Sequence, residues 1–293
     1  MRAHINYIEA KPFELESIIK ENPIAYVPFG ALEWHSVHNV LGVDSIKATE
    51  ICKRCVEITG GVLFPCVNYG AFCTMKFPYT FHFNKHSYIK MTKKLAKQLY
   101  KMGFRIIIFL TGHYPKGQLR QVRKAAIKLT KKHKDCFALG ILEQYLVPDF
   151  NYFGDHGASW ETSKMMEINP DHVDLDLLPD NLSFPERARI HGILGKDPKI
   201  EASREIGKKI MESIVKRLSK AVLNTLKEKK MDYFNEIYHN FRKEWKKTRN
   251  LKRIFEIHGI QDKKELWEYI KWFNIFGKRG RHDPNYKYNK KRK

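Results

Sequence analysis

Gly30-Ala31-Leu32-Glu33-Trp34-His35-Ser36-Val37-His38-Asn39-Val40-Leu41-Gly42-Val43-Asp44 follows the apolar run Ile24-Ala25-Tyr26-Val27-Pro28-Phe29 and gathers Glu33, His35 and Asp44 in one loop. The run reads as a buried strand and a helix pattern begins after Asp44, so the loop leaves the carboxyl end of a strand. Open α/β sheets place their sites at that edge. Imidazole with carboxylates is a mixed N and O donor set, which suits Zn²⁺, Mn²⁺ or Fe²⁺ better than Ca²⁺ or a soft thiolate-bound metal. Glu, His and Asp are also ordinary polar loop residues, so this stretch alone leaves a metal undecided.

Outward from this loop the chain alternates helix and strand patterns. A short helix is expected over residues 12–20 and a helix over 45–58, with Ile46, Ala48, Ile51, Cys55 and Ile58 on one side. Gly60-Gly61 ends it, a short strand over 62–64 follows, and residues 66–83 carry turn residues and mixed aromatics. Another helix is expected over 85–102, stopped by Gly103. Arg105-Ile106-Ile107-Ile108-Phe109-Leu110 is the clearest buried parallel strand. It runs straight into Thr111-Gly112-His113-Tyr114-Pro115, which projects His113 from the same sheet edge. After a helix over 118–131 and a strand over 136–142 comes a third loop, ending in Asp155-His156-Gly157-Ala158-Ser159-Trp160-Glu161-Thr162-Ser163. Ser159 is the expected N-cap of a short helix to residue 168, which puts Glu161 in its first turn. An acid there also serves the helix dipole without any other purpose. Residues 175–185 read as irregular, and a long helix over 198–228 closes the globular part.

The chain has 293 residues, 43% hydrophobic and 29% charged, which is the composition of a globular protein able to bury a full core. No apolar run reaches the roughly 18 residues of a membrane span, and Met1-Arg2-Ala3-His4 lacks a signal-peptide core, so the expected location is cytoplasmic, with no membrane partner. Five scattered cysteines do not form a secreted disulfide framework. Cys52 and Cys55 have redox or zinc spacing but sit inside a helix pattern with no second pair, so they read as two positions on a helix flank.

Taken together, Glu33-Trp34-His35 with Asp44, the Gly112-His113 loop, and His156 with Glu161-Thr162-Ser163 resemble the three motifs of the creatininase (creatinine amidohydrolase) family, in order and spacing. Residues 192–228, including Gly195-Lys196-Asp197-Pro198, resemble the family's last segment, so the similarity covers roughly residues 1–228. The resemblance implies an αβα sandwich around a mainly parallel sheet, hydrolysis of C–N bonds with two divalent ions (Zn, Mn or Fe), a small-molecule substrate, and a homo-oligomer, commonly a hexamer. Carried onto this sequence, it implies that Asp44 bridges both ions, that Glu33 and His113 complete one site, and that His35 and Glu161 complete the other. His156 would transfer the proton. Two ions about 3.5–4 Å apart lower the pKa of a shared water to give a bridging hydroxide and polarise the amide oxygen, while a nearby His protonates the expelled nitrogen. The chain departs from the family's pattern at Ser36-Val37-His38, at Tyr114-Pro115-Lys116-Gly117-Gln118 and at Phe77-Pro78-Tyr79-Thr80, none of which removes an implied ligand. Because the second departure lacks an acid that creatininase itself carries, creatinine is not the implied substrate; cyclic amides, formamides and peptide-like bonds all remain open. Trp34, Tyr69, Phe72, Tyr79 and Trp160 could line a flat pocket or simply belong to the core. Arg187 and Arg189 could meet an anionic group or be surface cations.

Residues 229–293 lie outside the resemblance and form a second region. Residues 226–293 hold 21 of the lysines and arginines against 9 acids, so +12 of the net charge of +22 is concentrated there. Aromatic and apolar residues at helical spacing predict two amphipathic helices, over 232–245 and 263–276, joined near Gly259. The end, from Gly277 to Lys293, has the composition of a disordered basic arm. One reading is a nucleic-acid clamp, making the chain a non-catalytic or nucleic-acid-binding protein on the same scaffold. The other, favoured because the aromatics fall on one helical face, packs the helices on the hydrolase domain or a neighbouring subunit.

Overall fold

The computed structural model describes residues 2–69, 74, 77–248 and 250–271. Phe72, Cys73, the last part of the helix expected over 263–276 and the expected basic arm lie outside the described residues. Strands β1 (His4–Asn6), β2 (Ile24–Phe29), β3 (Gly61–Leu63), β4 (Ile106–Thr111) and β5 (Phe137–Leu142) make one sheet in the order β1-β3-β2-β4-β5, and every pairing is parallel. The three-residue β1 carried no signal in the sequence; its pairing with β3 creates it.

Side chains alternate across a strand, so each strand feeds two cores. Ile24, Tyr26, Ile106, Ile108 and Leu110 meet α2 (Val43–Thr59) and α8 (Arg204–Glu228) on one face. Ala25, Val27, Phe29, Ile107 and Phe109 meet α1 (Pro12–Glu21), α3 (Lys85–Lys101) and α4 (Lys116–Lys132) on the other. Each large aliphatic or aromatic side chain fully withdrawn from water contributes about 1.5–3 kcal/mol. Cys52 and Cys55 are buried in the α2 side of the first core, as the helix-flank reading expects. The result is the αβα sandwich.

From β2 the chain turns to β3 on one side, whereas β4 continues to β5 on the other. Connections that diverge between neighbouring strands open a crevice at their carboxyl ends. At Gly112 a Cβ would stand 2.2 Å from the carbonyl oxygen of Asp44, so only glycine lets the loop after β4 touch the start of α2.

Several boundaries differ from the sequence reading. Asp44 lies in the first turn of α2 rather than in the loop before it, where unpaired N–H groups and the helix dipole favour a carboxylate. The expected N-cap Ser159 is instead the first helical residue of α5 (Ser159–Ile168), and the Asp155 carboxylate accepts the Trp160 N–H at 2.8 Å. Phe184 and Pro185, expected in an irregular segment, open α6 (Phe184–Ile190), which Ser183 caps. The expected helix over 198–228 is broken into α7 (Pro198–Glu201) and α8. Ser203 accepts the N–H of Ile206 at 3.2 Å and donates its own N–H to Ser163 at 3.0 Å, a tertiary bond that apolar periodicity does not report.

Beyond α8, three helices occur among the described residues where two were expected: α9 (Asp232–Lys247), α10 (Leu251–His258) and α11 (Lys263–Ile270). Asn250 caps the unforeseen α10, and Gly259 ends it at φ +64°. Phe234 of α9 is buried in the core beside α8, and Phe241 stacks on Tyr145 with centroids 3.7 Å apart. No described helix is long and apolar enough to cross a membrane.

Candidate metal centre

Three loops converge at the carboxyl edge of the sheet. The loop after β2 supplies Glu33 and His35, the first turn of α2 supplies Asp44, the loop after β4 supplies His113, and the segment leading into α5 supplies His156 and Glu161. All but His156 are almost wholly buried. One ligand atom from each of Glu33, Asp44 and His113 lies within 4.8 Å of the others, and the same holds for His35, Asp44 and Glu161, and for Glu33, His35 and His156.

Asp44 is shared by the first two groups, and its oxygens are divided between them. Oδ2 lies 2.8 Å from Nδ1 of His113, which also stands 3.1 Å from Glu33 Oε2. Oδ1 faces Nε2 of His35 at 3.5 Å, and that nitrogen lies 3.4 Å from Glu161 Oε2. His35 Nδ1 donates to the carbonyl of Glu33 at 2.9 Å, because a carbonyl can only accept. This fixes the ring with Nε2 toward the two carboxylates, the arrangement in which an outer partner orients a ligating imidazole. Likewise His156 Nε2 donates to the carbonyl of Trp34 at 2.9 Å, leaving Nδ1 toward Glu33 at 3.9 Å. The His156 ring also lies against that of His35, with centroids 4.2 Å apart.

Charge makes the same point as distance. Burial would raise the carboxyls of Glu33 and Asp44, but the imidazoles around them outweigh it and hold both below the usual range. Burial would lower His35, yet the carboxylates of Glu161 and Asp44 push it up to about 9. Three buried carboxylates in one place require compensating positive charge. Imidazole nitrogens and carboxylate oxygens at these spacings fit Zn²⁺, Mn²⁺ or Fe²⁺.

A second layer that the sequence reading did not find lies behind Glu161. Lys47 is fully buried on α2; its ammonium is bonded to Glu161 Oε1, donates to the Gly112 carbonyl at 3.3 Å and to the Tyr114 hydroxyl at 3.0 Å, and stands 3.6 Å from both Asp44 and Glu143. Lys164 is bonded to Glu143 and donates to Tyr152 at 2.7 Å. Burial disfavours the charge on Lys47, but Glu161, Glu143 and Asp44 outweigh it and hold it protonated. The available signal was a lysine on the apolar side of α2, between Asp44 and Ile51. The Gly157 N–H fixes the remaining oxygen of Glu161, donating to Oε2 at 2.7 Å.

The aromatic expectations fare differently. Trp34 is buried against Phe77, Trp160 packs on Tyr152, and Tyr69 and Tyr79 are exposed. None lines the cavity of about 740 Å³ that opens on Glu33, Asp44, His113 and His156, whose aromatic lining includes Tyr114, Tyr145 and Phe153. Arg187 is not a surface cation: it is buried, donating to the carbonyls of Leu182 at 2.6 Å and Gly259 at 3.1 Å, while Arg189 is exposed.

A parallel sheet between two helical layers, with buried imidazoles and carboxylates at its switch point, defines a metal-dependent hydrolase of the α/β class. The sequence model of the creatininase family, described as creatinine amidohydrolase, matches residues 9–222, and the chain belongs to that family. A creatinine amidohydrolase from Pseudomonas putida is 28% identical over 232 residues, covering 68% of this chain and 88% of that protein. The crystal structure of a creatinine amidohydrolase (creatininase) superposes with a TM-score of 0.66 at 22% identity, covering 75% of this chain and 96% of that one. A variant creatininase described as a Zn-Zn type superposes with a TM-score of 0.63 at 25% identity, covering 75% and 97%.

Proposed function

We propose that Glu33, His113 and Asp44 hold one divalent ion and His35, Glu161 and Asp44 a second, and that the chain hydrolyses a C–N bond of a small-molecule amide. The observation that carries this reading is the divided carboxylate of Asp44, one oxygen toward each histidine. Metal ions bound in such a pair supply Lewis acidity toward an amide oxygen and acidify water. The protein's own groups do the rest. Lys47 and the Gly157 N–H fix both oxygens of Glu161, so its orientation is set before substrate arrives. His156, anchored through Nε2–H on the Trp34 carbonyl, presents an unprotonated Nδ1 at the cavity wall, where it would take a proton from the attacking water and pass it to the departing nitrogen. Burial first, and then the charge of His35, lower its pKa, which favours the neutral ring that can take up that proton before releasing it.

The Pseudomonas putida relative is named for creatinine, but the cavity here exceeds what a small cyclic amide fills, and the substrate is better sought among larger amides. A homo-oligomeric assembly belongs to the same reading, supported by the family resemblance. Metal analysis of the purified protein tests the centre. Close to two ions per chain are expected, lost together in Asp44→Ala; a protein that stays metal-free after reconstitution would refute the reading. A metal-dependent screen over cyclic amides, formamides and short peptides then addresses the reaction.

A further inference from the structure

Helices α9, α10 and α11 lie beyond the segment the family model matches, yet they enclose the cavity over the carboxylate-imidazole cluster. Phe241, Arg242 and Trp245 of α9, Ile254 of α10, and Leu266 and Tyr269 of α11 line it together with Glu33, Asp44 and His113. This wall is built into the fold rather than laid on it. Phe241 stacks on Tyr145, Trp245 meets Phe153 at 5.3 Å and Tyr269 meets Phe184 at 5.1 Å between centroids. The buried Arg187 clamps the Gly259 carbonyl between α10 and α11.

The polar lining is asymmetric. The carboxylates that face the cavity, Glu33, Asp44 and Asp155, all belong to the cluster or its support. Three cations line it as well: Lys116, Arg123 and Arg242. None of the three forms an ion pair with an acid among the described residues. Lys116 opens α4 close to His113, and Arg123 lies about 10 Å further along that helix at 1.5 Å per residue. There its guanidinium covers the Tyr238 ring at 4.1 Å, and Arg242 follows Tyr238 by four residues on α9, one turn away on the same face. Two guanidinium groups without carboxylate partners among the described residues thus line the cavity together with its apolar, aromatic wall. Guanidinium is the side chain best shaped to take a carboxylate or phosphate through paired N–H donors.

We infer that the C-terminal helices form the specificity wall of the active-site cavity and select an amide with an apolar or aromatic body and an anionic group, held by Arg123 and Arg242 at the end remote from the ligand cluster. The inference rests on the proposed metal centre being the reacting end of the cavity. A volume of about 740 Å³ suits a ligand of drug-like size, well above a five-membered ring.

Calorimetric binding to the full-length, metal-loaded protein tests this with 2-naphthoate, 2-naphthyl phosphate and neutral 2-naphthamide as probes. At least one anionic probe should bind tenfold or more tighter than the amide, and which of the two is preferred assigns carboxylate or phosphate. Arg242→Ala and Trp245→Ala, both at exposed or half-exposed positions, should each weaken that probe about tenfold while metal content stays at the wild-type level. Equal affinity for charged and neutral probes, no binding of any of them, or variants that bind like wild type would overturn the inference; the last result would place the anion on the metals. Failure of the metal centre reads out separately, as wild-type protein without metal that still discriminates the probes through Arg242.

Discussion

Lys47 gives its ammonium to one oxygen of Glu161 while the other oxygen faces His35 at 3.4 Å, so a buried cation on α2 sets the orientation of a carboxylate on α5. Substituting Lys47→Met leaves Glu161 and Glu143 without that counter-charge in a site closed to water. Removing one partner of a buried ion pair costs about 3–5 kcal/mol, and loss of an outer partner weakens metal binding about 10–100-fold. We therefore expect a lower Tm and a weaker second metal affinity, measured by thermal melts and chelator competition. Unchanged metal affinity would remove Lys47 from the support of Glu161.

His156→Ala should keep both ions and lose turnover. A positioned general acid contributes about 10²–10⁴-fold, and Nδ1 of His156 stands 3.9 Å from Glu33, further than the His113 contact at 3.1 Å. Metal content and steady-state rates on any substrate found in the screen decide this together. Because Glu33, His35 and His156 also form a close triplet, loss of an ion in the variant would make His156 a ligand instead.

Phe234 is fully buried where α9 meets α8, and truncating a buried phenylalanine costs about 3–5 kcal/mol. Phe234→Ala is expected to lower the urea midpoint accordingly and to disturb the cavity wall. The nucleic-acid reading of the same region predicts something else, namely RNA or single-stranded DNA binding that falls steeply with salt and vanishes on truncation after Glu228. A salt series with both proteins separates the two.

At the protein surface, Arg217 of α8 donates to Asp149 from Nη2 at 2.7 Å and from Nη1, and this bonding holds the Asp149 carboxyl below the usual range. A depressed carboxylate pKa stabilises the fold above the unfolded value of about 3.9, and that contribution is lost as pH falls through the folded value. Both side chains are substantially exposed, so the pair is worth at most about 1 kcal/mol. Asp149→Asn should lower stability by no more than that at pH 7, and by progressively less as pH falls through the acid range, as chemical denaturation over a pH series would show.

Local pattern determined a good deal by itself. The apolar runs before Gly30 and Thr111 read as buried strands, and their alternation with amphipathic helices pointed to a parallel sheet with its loops at one edge. The motifs put Glu33, His35, His113 and His156 on three such loops, with Asp44 and Glu161 in them or in the helical turns that follow, because loop chemistry and strand ends are written in short stretches of sequence. Contacts between stretches far apart in the chain were decided only by the tertiary structure. Nothing near Lys47 says that its ammonium meets a carboxylate 114 residues later, since a buried charge is tolerated only where a partner arrives from elsewhere. The break before α8 depends on Ser163, and the start of α5 on Asp155 rather than Ser159. The periodicity of the C-terminal helices announced amphipathic faces without naming their counterpart. That Phe241, Trp245 and Tyr269 close over the same cavity as Glu33 and His113 follows from packing, because an apolar stripe specifies that it must be covered but not by what.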